Sequence, residues 1–407
     1  MIVALLAVLV ISVVFLADEK ENRALILFGI LAAVAFAVAL ESGNSQTRAL
    51  LVAGVVVLFW TLCVQTKYHP LPGERDIDAK IFLEGVDAIR QGENPYEGHS
   101  IAPPPTFVFL KALGSSAEFA KNLRMLNHCS ALLCYALVIL LIALGVLKGK
   151  RESLIILIPI LFQLHLFFKY NEHVGNLSAP LAFIVLLLLV SHHPNIPVLE
   201  GLLAGLAACI KPYFVVLMIG NVFYLVVKRD KRTILFLLGC SIAAAVSVLT
   251  LGFGIYLDFL RQNSSVMAKG LINAANYSVP LGILSTFSLP LNVTNLTRLS
   301  GGLAVLAFLG GFYLCCKNRK RQMSESEVVY FLFLTTSVFP LTWAHYFSWL
   351  LGPVAFMNHK SFSTERLNFL IPAIFLGVYI LVFDSISWLG SLALSTISFY
   401  MALQEEM

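Results

Sequence analysis

Residues Thr66–Ala102 read TKYHPLPGERDIDAKIFLEGVDAIRQGENPYEGHSIA, the one long polar stretch in the first half of the chain. Nearly unbroken hydrocarbon flanks it on both sides, and that contrast decides the fold. Of 407 residues, 58% are hydrophobic and 13% charged, with a mean hydropathy of +0.85. Soluble domains carry about 25% charged residues. Apolar runs long enough for a bilayer, roughly 20 residues each, recur from end to end. The reading is an all-α, polytopic transmembrane helical bundle of about eleven to thirteen spans. It divides into three N-terminal transmembrane helices over 1–65, an external loop with an amphipathic helix over 66–124, and the remaining bundle over 125–407, which includes an external segment at 258–298. Met1–Leu16 has no basic leader and no small-x-small cleavage site, so it reads as a retained span. The cysteines lie within or at the ends of apolar runs without metal-ligand spacing, and no metal or cofactor is expected. The net charge of +5 reports topology and does not suggest nucleic acid.

Three short loops are strongly basic: Lys148-Gly-Lys150-Arg151, Lys228-Arg229-Asp-Lys231-Arg232 and Lys317-Asn-Arg319-Lys320-Arg321. Basic residues in short loops stay cytoplasmic. Counting spans from them places Thr66–Ala102, Asn171-Glu172-His173, the 258–298 segment and Thr342–Tyr346 together on the non-cytoplasmic face of a plasma-membrane protein with both termini inside. Val198–Val227 must begin and end inside, and Lys211-Pro212 breaks it into two short helices, because proline lacks the donor a helix needs.

Within the polar loop, Ile81, Phe82, Gly85, Val86 and Ile89 recur at helical spacing. They predict an interfacial helix over Lys80–Arg90 with Glu84, Asp87 and Arg90 on its wet side. Asp76 and Asp78 fall just before it, where free backbone N–H groups favour a carboxylate.

The run Asp78-x13-Gly92-x-x-Pro95-Tyr96, followed by Pro104-Pro105, resembles the polyprenol-phosphate-mannose-dependent mannosyltransferases of glycosyltransferase family 87, in the GT-C superfamily. Gly175-Asn176, Gly205-Leu-Ala-Ala-Cys-Ile-Lys211-Pro212-Tyr213, Asn276-Tyr-Ser278 and Phe339-Pro340-Leu-Thr-Trp343-Ala-His345-Tyr346 extend the resemblance in order over residues 70–355. Where the family shows Gly-Gln before the middle Asn, this chain has His173-Val-Gly175-Asn176.

The resemblance implies a membrane-embedded inverting transferase. It would move a hexose from a polyprenyl-phosphate donor to a lipid-linked or cell-envelope acceptor. Asp78 is implied as the general base, with helix capping as its structural alternative and Asp76 as understudy, paired to Arg75 or binding a cation. His345 would lie near the donor phosphate or sugar, or simply in an aromatic belt. Lys211, costly inside an apolar run, is either a phosphate ligand or a snorkelling lysine. Arg298, with Arg261 behind it, is a further phosphate candidate. Asn176, Trp343, Tyr346 and Tyr96 are candidates for sugar or acceptor contacts. Asn171, Glu172 and His173 are weaker ones. Five N-x-S/T triplets, at Asn176, Asn263, Asn276, Asn292 and Asn295, are glycosylation acceptors only in a eukaryotic secretory compartment. The competing reading is a polytopic lipid transporter or flippase, against which stand the lack of an internal repeat and the gathering of polar residues at one face. Another is a lipid-linked glycan polymerase or ligase.

Overall fold

In a computed structural model, the described residues are 76–97, 102–147, 168, 171–192, 196–261, 276–320, 322–363, 370, 373–374 and 387–405. They belong to the second of two compact units, Leu71–Met407. The three expected N-terminal helices over 1–65, Thr66–Arg75, and residues 148–167, 169 and 170 lie outside the described residues. So does the whole of 262–275.

All regular structure among the described residues is helical. The order is α1 (Ile77–Gln91), α2 (Pro104–Lys111), α3 (Ser116–Leu147), α4 (Ser178–His192), α5 (Pro197–Ile210), α6 (Val215–Lys228), α7 (Arg232–Leu251), α8 (Val279–Thr286), α9 (Val293–Lys317), α10 (Glu325–Ser337), a 3-10 helix (Ala344–Leu350), α11 (Leu351–Ser363) and α12 (Ser387–Glu405). Two of these, α7 and α9, are both long and apolar enough to cross a membrane by themselves. Their apolar side chains face away from protein: Leu238, Val246 and Leu249 on α7, and Val305, Leu306 and Leu309 on α9, are all at least half exposed. A core helix would bury them, and soluble monomers rarely leave so large an apolar surface bare. These two helices point to membrane association.

The break at Lys211-Pro212 is present. Helix α5 stops at Ile210, Lys211 is extended, and a 3-10 turn over Pro212–Phe214 leads into α6. Other boundaries move. The surface helix begins at Ile77, three residues before the expected Lys80, so Asp78 sits in its first turn and is not its cap. Asp87 and Arg90 do more than face water. Ser116 Oγ donates to Asp87 at 2.9 Å, and Arg90 donates to Asp87 at 3.0 Å and to the carbonyls of Lys111 and Gly114, clamping α1 onto the α2–α3 turn. Helix α3 is continuous across residue 124. Helix α9 starts inside the expected external segment 258–298, at Val293, because Asn292 caps it by accepting the Asn295 N–H at 2.8 Å. Helix α10 is started by a reciprocal capping box between Ser324 and Glu327.

One end of the bundle is fixed by polar contacts. Tyr224 donates to the Glu327 carboxylate at 2.6 Å, Asn318 donates to both Tyr224 and Glu327, and Lys228 reaches the Cys316 carbonyl at 3.2 Å. The His192 ring, at the end of α4, lies 3.0 Å from Glu200 and 3.1 Å from the Met323 carbonyl. The basic loops after α6 and α9 therefore share this end with the end of α4 and the beginning of α5. Helices α5 and α6 have 14 residues each and α4 has 15, so Ser178 and Lys211 stand roughly 21 Å away along those helices.

Helices α5 and α7 pack at backbone distance. A Cβ added to Gly201 would fall 1.9 Å from the Phe236 carbonyl oxygen, and one on Gly239 would fall 2.3 Å from that of Val198. Gly201 and Gly205 form the small-x-x-x-small spacing that lets helices approach in lipid. Gly201→Leu is expected to separate the pair, costing about 3 kcal/mol or more. Detergent-extracted protein should lose its monodisperse size-exclusion peak.

Candidate active site

The α1 N-terminus is built against the turn before α4. Asp76 adopts a left-handed conformation (φ 58°), its N–H donates to the His173 carbonyl at 2.8 Å, and its carboxylate accepts from Arg124 of α3 at 3.1 Å. Arg124 is thus an ionic partner of Asp76, and the expected Arg75 lies outside the described residues. Gly175 is also left-handed (φ 74°), and a Cβ there would lie 2.6 Å from that of Ala79. No other residue allows both the turn and the approach. Gly175→Val is expected to push α1 off this turn and to remove activity even where the protein still extracts, which transfer assays on purified protein would read.

That approach delivers Asn176 to Asp78, with the amide donating to Oδ2 at 2.7 Å. Asp78 also feels the positive charge of Lys211. Burial pushes its carboxyl above the usual carboxylate range, while the Asn176 hydrogen bond and Lys211 pull the other way without cancelling the effect.

Lys211 arrives from the break between α5 and the 3-10 turn. Its Nζ donates to the Tyr346 hydroxyl at 3.0 Å and lies 4.5 Å from that ring's centroid. An aromatic wall supports the pair. Tyr346 stacks on Trp349 at 4.7 Å, Tyr213 stacks on Phe339 at 4.3 Å, and the edge of Tyr213 meets Tyr346 at 5.8 Å. Thr106 of α2 donates to the Cys209 carbonyl at 3.1 Å, satisfying a group beside the break. Asp78, Asn176, Lys211 and Tyr346, drawn from four separated stretches, thus form one constellation: a half-buried carboxylate and an ammonium on a polar floor, beside apolar helices.

Other candidates go elsewhere. Tyr96 is buried, donates to the Ala102 carbonyl at 2.9 Å and packs on Phe107 and Phe259, so it fixes the loop. Trp343 packs against a cluster of Leu284, Leu296 and Leu341. Arg298 is exposed on the second turn of α9, and Arg261 pairs loosely with Asp258 at 3.9 Å. The backbone of His345 is in the 3-10 helix, and its side chain lies outside the described part of the structure. Asn176 and Asn276 are buried, with their amides bonded inside the chain, and so are closed to glycosylation. Asn276 has a different task. It donates to the Pro340 carbonyl at 2.8 Å and accepts from the Thr342 N–H at 2.9 Å, which holds the turn leading to Tyr346. Tyr213, quoted in the sequence only as part of a motif, emerges as a wall of the site. Its position next to the Lys-Pro break was the one available signal.

Helices with bare apolar flanks around an aspartate and a lysine, with aromatic rings alongside, define a helical protein with a polar centre. The chain belongs to glycosyltransferase family 87, whose family model matches residues 103–342. It is therefore a glycosyltransferase, acting between a sugar donor and an acceptor. The match takes in Asn176 and Lys211 and ends short of Asp78 on one side and Tyr346 on the other; hydrogen bonds join both to the matched region. No curated protein matches the chain.

Proposed function

We propose that the protein is an inverting hexosyltransferase, most simply a mannosyltransferase of GT-C type. It takes its sugar from a polyprenyl phosphate at the non-cytoplasmic face of the membrane and passes it to a lipid-linked or cell-envelope acceptor. The observation that carries this reading is the placement of Asp78, held by the Asn176 amide at 2.7 Å, in one site with Lys211 at a helix break, roughly 21 Å along the helices from the basic end. Positive-inside orientation puts that basic end in the cytoplasm and the site toward the other leaflet.

Asp78 accepts the proton of an acceptor hydroxyl as its oxygen bonds to the anomeric carbon. On the opposite side of the sugar the bond from anomeric carbon to phosphate oxygen breaks, and the electron pair leaves with polyprenyl phosphate. The ammonium of Lys211 and the Tyr346 hydroxyl are suited to the added negative charge. The apolar flanks of the helices suit the polyprenyl chain. Purified protein in liposomes, given polyprenyl phosphate carrying radiolabelled mannose and a membrane lipid extract, is expected to form a new labelled glycolipid. Cysteines placed at Lys80 and Lys231 are expected to label from opposite sides of the membrane. Absence of any transfer with mannose, glucose or galactose donors, or labelling from one side, overturns the reading.

A further inference from the structure

The polar floor beneath Asp78 has an order that a simple sugar contact does not require. Asn176 donates to Asp78 Oδ2 at 2.7 Å, while its own Oδ1 accepts from the Ser178 hydroxyl at 3.0 Å. The Ser178 backbone N–H donates to Asn171 Oδ1 at 3.0 Å, and Asn171 Nδ2 donates to Asn127 Oδ1 on α3 at 3.0 Å. The carbonyl of Asn171 also accepts the N–H groups of Gly175 and Asn176, at 2.9 and 3.2 Å. Asn127, Asn171, Asn176 and Ser178 are each at most 4% exposed. The Ser178 N–H fixes the sense of the Asn171 amide and the Asp78 carboxylate fixes that of Asn176, because rotation of the Asn176 amide would set its oxygen against a carboxylate.

We infer that Asn176 is a positioning residue for the base: its amide, held from behind by the Ser178 hydroxyl, occupies one oxygen of the Asp78 carboxylate and leaves the other for the acceptor hydroxyl. This rests on the reading of Asp78 as base and reassigns Asn176 from substrate contact to the machinery behind it. The relay uses neutral amides and a hydroxyl, so it carries no proton of its own across the working pH range. Lys211, from the helix break, is the charged group that acts on Asp78, and Asp78 in turn acts on the Tyr346 hydroxyl of the 3-10 helix. Neighbouring Asp76 is closed against Arg124.

The test uses full-length protein in liposomes with polyprenyl-phosphate mannose, and measures kcat, donor KM and the pH profile. Asn176→Ala is expected to lower kcat about tenfold or more, and to change KM less than about twofold, because it loosens the base and not the substrate. Its acidic limb is expected to move up by about one pH unit, since the lost bond favours the carboxylate form. Asn176→Asp conserves shape but sets a second carboxyl against Asp78, so one proton is shared and the limb moves further in the same direction. Ser178→Ala removes the hydrogen bond that holds the Asn176 oxygen, loosens the amide and gives a smaller shift of the same sign. A structural role alone would lower yield or thermal stability and leave the limb in place. Where Asn176→Ala is lost in expression, the shape-conserving Asn176→Asp and Ser178→Ala decide. An unmoved acidic limb in variants with native thermal stability overturns the inference, as does a loss confined to KM, which returns Asn176 to substrate binding. Failure of the underlying reading is distinguishable, because it appears as full transfer by Asp78→Asn whatever Asn176 does.

Discussion

Asp78→Asn is expected to abolish transfer, with kcat falling roughly 10²–10⁴-fold, the usual contribution of a positioned general base. The substitution is close to isosteric, and its amide oxygen can still accept the Asn176 N–H that Asp78 accepts at 2.7 Å. Structure should therefore survive, and donor binding should change little. The wild-type pH profile adds a second check. Asp78 acts as base only when ionised, and burial holds its carboxyl above the ordinary carboxylate range. Activity is therefore full above that raised pKa and is lost as pH falls through it, at a higher pH than for an exposed aspartate. A variant that transfers at the wild-type rate would move the base elsewhere. Asp76 is the nearest alternative, but its carboxylate is already committed to Arg124 at 3.1 Å. Measuring Asp76→Asn alongside separates the two, and a smaller loss is expected there.

The features that sequence revealed well are those written in local chemistry. Lys211-Pro212 announces a break because proline removes a donor wherever it stands, and α5 ends one residue before the lysine. Composition and span length announced the helical membrane class. The bounds of the surface helix were less legible, since Asp76 enters it through a left-handed conformation that depends on a bond to His173 from a distant segment. Long-range partners were hidden for the same reason. Nothing in the order of residues tells that Arg124 meets Asp76, or that Asn276 holds the Pro340 turn. Aromatic residues were the hardest to sort. Tyr96, Trp343 and Tyr346 look alike as membrane-interface residues, yet the fold buries Tyr96 for packing, places Trp343 in a leucine cluster and gives Tyr346 to Lys211. Tertiary packing, which no local pattern encodes, made that division. Ser178 shows the same limit: as the third residue of an N-x-S triplet it read as part of a modification signal, whereas its hydroxyl donates to the Asn176 amide oxygen.

Lys211→Met is expected to cause a loss of similar size, about 10²–10³-fold in kcat/KM, by removing the charge that meets the departing phosphate. Methionine keeps the length and apolar stem of lysine, so the helix break at Pro212 and the contact with the Tyr346 ring are retained. What disappears is the ammonium bonded to the Tyr346 hydroxyl at 3.0 Å and acting on Asp78. Two consequences should appear together. Binding of polyprenyl phosphate, the product, should weaken, which displacement of a fluorescent analogue would measure. The acidic limb of the pH profile should also rise, because Lys211 helps keep Asp78 ionised against burial. Lys211→Arg keeps the charge in a broader planar head and should restore product binding in part while leaving kcat low, since Tyr346, Tyr213 and the break fit a compact ammonium. Tyr346→Phe removes the hydroxyl alone and should give a milder loss, about tenfold, with the ring wall intact. If Lys211→Met binds polyprenyl phosphate as the wild type does, the lysine is a structural counter-charge to Asp78 and the phosphate site must be sought elsewhere. If binding is lost while the acidic limb stays fixed, its charge serves the donor and not the base.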